Sequence, residues 1–173
     1  MTMTLPVSPP APAARASLDQ VLRVVVALVG LIEGVSGLTD LPIVFGDLTK
    51  IDLPTIASIA LHPVLGFAAF GFALARRLRY GIMALALLAL AKWASEVPSM
   101  MTHGLDLSSG DDAFVVSLMV FKTIIQPLVA SAALAAAWLN RFRTAAMLAA
   151  VLPTLIDAAG IAAFAISVSL YGF

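Results

Sequence analysis

The chain has 173 residues, 61% of them apolar and only 12% charged, with a mean hydropathy of +1.04 and no net charge at pH 7. Soluble domains carry about 25% charged residues, so the composition predicts a polytopic, all-α membrane protein with no room for a soluble catalytic domain. The absence of cysteine excludes thiol–disulfide relays, Cys-ligated iron–sulfur clusters, c-type haem attachment and Cys-based zinc sites.

Residues 1–20 are rich in Pro, Ala and Ser and lack a continuous apolar core. They predict a disordered cytoplasmic tail, neither helix nor cleavable signal, ahead of a transmembrane domain over residues 21–173. A bilayer-spanning helix needs roughly 20 apolar residues, and five windows qualify: Val21 to Leu38, Leu53 to Ala75, Tyr80 to Met100, Ala113 to Leu139 and Thr144 to Tyr171. The first acts as an uncleaved signal anchor. Polar segments separate the five: TDLPIVFGDLTKID, RRLR, MTHGLDLSSGDD and NRFR.

Flanking charges alternate along the chain. Arg15 and Arg23 precede the first span, Asp40, Asp47 and Asp52 follow it, Arg76, Arg77 and Arg79 follow the second, Asp106, Asp111 and Asp112 the third, and Arg141 and Arg143 the fourth. Basic flanks stay in the cytoplasm. The expected topology therefore has a cytoplasmic N-terminus, a periplasmic C-terminus and two acidic periplasmic loops, in a bacterial inner membrane. Tyr80 and Trp138 at the inner boundary and Tyr171 at the outer one suit an aromatic belt. The outer loops are the longer ones, and Ile43, Val44 and Phe45 are placed to fold back over the bundle.

Every span carries at least one polar or ionisable group: Glu33, His62, Lys92 with Glu96, Lys122 with Gln126, and Asp157. Each charge costs about 2.5–3.5 kcal/mol at the bilayer centre on insertion scales, so each needs a partner, a cavity or a function. At about 1.5 Å per residue, the groups lie from the midplane to roughly 10 Å outward. They converge in depth although alternate helices run in opposite directions.

Helical spacing puts Thr55, Ser58, His62, Gly66, Ala69 and Ala73 on one small, polar face of the second span. In the first span Ala27, Gly30, Gly34 and Gly37 form a close-packing stripe with Glu33 on its flank. In the third, Lys92, Glu96, Ser99 and His103 share one face provided that the helix continues through Pro98, after which His103 enters a periplasmic loop. Prolines accompany the polar groups in four spans, as Pro63, Pro98, Pro127 and Pro153. Each removes a backbone donor and frees a carbonyl one turn earlier.

The simplest account is a structural network in which Lys92 neutralises Glu96 while Lys122 pairs with Asp157 or Glu33. Against it, two lysines face three carboxylates within the spans, and an excess carboxylate in low dielectric attracts a proton or a cation.

Three functions fit. The first is a non-catalytic subunit or accessory protein of an inner-membrane assembly, with other membrane subunits as partners. The second is a small proton- or cation-coupled transporter or channel acting as a homo-oligomer. The third is a redox subunit in which His62 donates to a quinone carbonyl. No catalytic signature or dinucleotide motif occurs. No metal site is expected, bis-histidine haem is disfavoured because His62 is the only intramembrane histidine, and no basic cluster beyond the span flanks points to nucleic acid.

Overall fold

The computed structural model describes residues 12–46, 53–103 and 120–171. Helix α1 spans Pro12–Gly46, α2 Leu53–Leu74, α3 Leu78–His103, α4 Gln126–Trp138 and α5 Arg143–Tyr171, with a π-helical segment, Phe121–Ile125, leading directly into α4. Among the described residues there is no strand, and five helices are long and apolar enough to cross a membrane.

Three boundaries differ from the sequence expectation. Of the tail expected over residues 1–20, the first eleven lie outside the described residues. From Pro12 the chain is already helical, with proline at the first helical position, where its missing N–H costs nothing, followed by good helix formers. At its other end α1 runs through Asp40 and Pro42 to Gly46, so Thr39–Gly46 is not a loop. Proline removes one hydrogen bond there without ending the helix, because the following residues are again apolar. Helix α3 likewise continues through Pro98, and His103 is its last helical residue and not part of a loop. The side chains of Ile43 to Phe45, Ser99 and His103, and the loop positions Asp47, Asp52, Asp106, Asp111 and Asp112, lie outside the described residues. So do the first residues of the fourth span, which was expected to begin at Ala113.

Both connections at the arginine end are tight. Arg77 N–H donates to the Phe72 carbonyl at 2.8 Å and Arg76 N–H to that of Ala73 at 3.2 Å. The same pair of bonds recurs from Arg141 to Ala136 and from Asn140 to Ala137. Each closes the preceding helix with a left-handed residue, Arg76 at φ 59° and Asn140 at φ 54°. Arg79 then ties the two turns together, donating from Nη2 to the Trp138 carbonyl at 2.7 Å.

Helix α3 is the centre of the bundle and packs against all four others. Ile82, Ala84, Leu85, Ala86 and Leu88 are all buried, covering most of its circumference, as expected of a fully surrounded helix. Helices α1 and α2 approach through backbone. A Cβ on Gly30 would stand 2.6 Å from the Phe70 nitrogen, one on Gly37 2.6 Å from the Pro63 nitrogen, and one on Gly66 would overlap the Gly34 backbone. The glycine stripe of the first span and the small face of the second therefore meet as the spacing predicts.

Among the described residues the apolar core is confined to one half of the molecule. Val26, Ala73, Ile82, Ala137 and Val151 belong to it, and each lies toward the end of its helix that carries the arginine turns. The opposite half holds the polar side chains. Outward faces are largely apolar, with Val21, Val24, Leu28, Ile32, Val35 and Leu38 forming an exposed ridge along α1.

Candidate functional site

Glu33 is the hub of the polar half. Its carboxylate is buried and accepts three hydrogen bonds from three other helices. Oε2 receives Lys92 Nζ of α3 and His62 Nε2 of α2, each at 2.7 Å, and Oε1 receives Thr154 Oγ1 of α5 at 2.6 Å. A carboxylate only accepts, so His62 carries its hydrogen on Nε2. Its other ring nitrogen, Nδ1, stands 3.5 Å from Asp40 Oδ2. The imidazole is thus held between two carboxylates of α1, seven residues apart on one face of that helix.

A second ion pair lies beside the hub. Lys122, in the π segment, meets Asp157 of α5 at 2.9 Å. This is one of the two pairings open to Lys122 from the sequence. Lys92 departs from expectation: it turns to Glu33 and not to Glu96, one turn away on its own helix. Glu96 makes no hydrogen bond or ion pair with any described residue and faces a cavity of about 610 Å³. Glu33, Asp40, His62, Lys92, Lys122 and Asp157 line the same cavity, as do Ser36, Ser58 and Ser95. Its volume is that of a small-molecule site.

Six of the seven candidates within the apolar helices are therefore brought together. Gln126 is separated from them: it is buried against α3 with Nε2 3.4 Å from the Ala89 carbonyl, where it serves helix packing. His103 is at the end of α3, and its side chain lies outside the described residues.

Two members of the site escaped the sequence. Asp40 falls in the polar segment expected to separate the first two spans, although its seven-residue spacing from Glu33 marks one helical face. Thr154 stood in an apolar run, and its three-residue spacing from Asp157 was the available signal. Asp40 changes the charge count. Four carboxylates, Glu33, Asp40, Glu96 and Asp157, face two ammonium groups around one cavity.

The π segment sets the position of Lys122. Gln126 N–H bonds to the Phe121 carbonyl, five residues back. Pro127 has no N–H to offer Thr123, so that carbonyl is open to another donor. Trp93 of α3 supplies it, with Nε1 donating to the Thr123 oxygen at 3.0 Å. An indole donor thus fills the gap left by a proline, and it anchors the irregular backbone that carries Lys122. Pro63 frees the Ile59 carbonyl in the same way, and Ile59 lines the cavity.

The fold and site together define a bundle of five helices long and apolar enough to cross a membrane, with a charged cavity in one half. No family model matches the chain, and no curated protein or solved structure is similar to it.

Proposed function

We propose that the protein is a multi-pass protein of the bacterial inner membrane, with its N-terminus in the cytoplasm, that binds and passes protons or small cations through its polar cavity. One observation carries this reading: four carboxylates and two lysines from different helices surround one space large enough for a ligand. A network serving only to hold helices together would pair its charges and close the space between them. Here Glu96 pairs with no described residue, and the surplus around the cavity is negative, the sign that attracts cations in low dielectric.

The orientation follows from the arginines at both tight turns, which belong on the cytoplasmic side, so the cavity lies in the periplasmic half. A five-helix chain makes a narrow pathway alone, and a homo-oligomer is the expected working form. The test is flux in proteoliposomes under an imposed proton or cation gradient. Glu96→Gln and Asp157→Asn are expected to reduce flux at least about tenfold, the scale of a lost positioned charge in transfer. Undiminished flux in both folded variants rejects the proposal.

A second reading, a non-catalytic subunit of a larger membrane assembly, is favoured by the cavity rim. Ile32 and Ile161 line the cavity, yet they are 57% and 71% exposed, so the rim offers an apolar surface to a neighbouring helix. Co-purification of a second membrane protein in fixed stoichiometry, lost on Ile161→Asp, supports that reading. A monodisperse single species with full flux argues against it.

A further inference from the structure

The arginine end carries a second site that the cavity does not explain. Between the two tight turns is a recess of about 520 Å³ lined by Arg76, Arg77, Arg79 and Arg143. None of the four has a described carboxylate within ion-pair distance. The one acid in the recess, Asp19, lies 3.6 Å from Arg23.

Arg79 is held in place. Its guanidinium lies 5.7 Å from the Tyr80 ring centre and 5.8 Å from that of Trp138, and Nη2 is spent on the Trp138 carbonyl. Its Nε–H is buried and has no hydrogen-bond partner among the described residues. A buried guanidinium donor without an acceptor is uncommon, since unmade bonds to charged groups are costly. Arg143 is also positioned, donating from Nε to Asn140 Oδ1 at 3.0 Å.

We infer that this recess binds a phosphate group. Planar guanidinium forks match phosphate oxygens in geometry and charge. Basic recesses between membrane helices at the cytoplasmic surface are suited to anionic headgroups. The phosphate has two available sources, an anionic phospholipid or a free phosphate anion. The lipid source rests on the membrane orientation proposed above, and the free anion does not.

Thermal unfolding of the purified chain in neutral detergent tests this. Phosphatidylglycerol added as mixed micelles to saturation is expected to raise the unfolding midpoint by about 5 °C, the scale of a ligand in large excess over Kd for a domain of this size. Phosphatidylcholine, whose headgroup has no net charge, is expected to give no comparable rise. Inorganic phosphate is run beside them: a matching rise supports the site with the free anion as ligand, and a rise confined to phosphatidylglycerol supports it with the lipid as ligand.

The double variant Arg77→Gln/Arg143→Gln, at two exposed positions, is expected to fold with unchanged helicity and lose most of the shift. Arg79→Gln should lose it as well. An equal shift with phosphatidylcholine, or a full shift retained in the folded double variant, overturns the inference.

Discussion

Glu33 illustrates what a buried charge requires of its surroundings. Three donors from three helices satisfy its two oxygens, so removing one partner leaves another charge exposed to the interior. Breaking a buried pair costs about 3–5 kcal/mol, whereas replacing both partners by groups of similar shape can be nearly neutral. Glu33→Gln and Lys92→Met are each expected to destabilise the fold by about 3 kcal/mol. The double variant should cost less than their sum by more than about 1 kcal/mol, as measured by denaturant titration in detergent micelles. An additive result would show that the two side chains are not coupled. At this scale the sequence was informative about which groups are polar and buried, because a charge in an apolar run is conspicuous. It was silent on pairing. Lys92 has Glu96 one turn away and Glu33 across a helix interface, and only the tertiary approach of α1 to α3 decides between them.

Helices α1 and α2 touch where side chains are missing, which makes their contact intolerant of a single methyl group. Gly66→Ala places its Cβ against the Gly34 backbone, and overpacking of this kind costs about 1–3 kcal/mol. Gly71, on the same helix, has nothing within 4 Å of the position that a Cβ would take, so Gly71→Ala is expected to be neutral or stabilising by up to about 1 kcal/mol. Comparing the two unfolding midpoints separates a contact effect from helix propensity. The π segment makes a different demand: Trp93→Phe keeps the ring and removes the donor to the Thr123 carbonyl, at an expected cost of about 1–2 kcal/mol. The unfolding midpoint of Trp93→Phe against that of the parent chain, both followed by circular dichroism, provides the readout. The five helices were legible because twenty apolar residues have few other uses. Their ends were not. Asp40, Pro42 and Pro98 carry turn signals, yet each lies inside a helix, because neighbouring helices and the apolar residues beyond them favour continuing the ladder.

Across the whole molecule the two halves do different work. Packed alanines, valines and leucines fill the half that holds the tight turns, and in the other half the described side chains set charges around a cavity. Alternating flank charges made the arginine end visible in the sequence, but the recess between its turns depends on the φ values of Arg76 and Asn140, which no pattern of hydropathy encodes. The chain as a whole is neutral: the cavity's four carboxylates and two lysines leave two negative charges, and most of what offsets the seven arginines is five aspartates outside the described residues, Asp47, Asp52, Asp106, Asp111 and Asp112. The arrangement around Glu33 also bears on how the protein is made. That residue emerges in the first helix, while the hydroxyl that completes its coordination belongs to a residue 121 positions later. At synthesis rates of about 5–20 residues per second, the carboxylate waits roughly 6 to 24 s for its last donor. A chain truncated before α5 would never receive it, nor would Lys122 ever meet Asp157. A chain without α5 is expected to be cleared faster than one that carries it in a pulse-chase experiment, because Glu33 and Lys122 would lack partners that only α5 supplies.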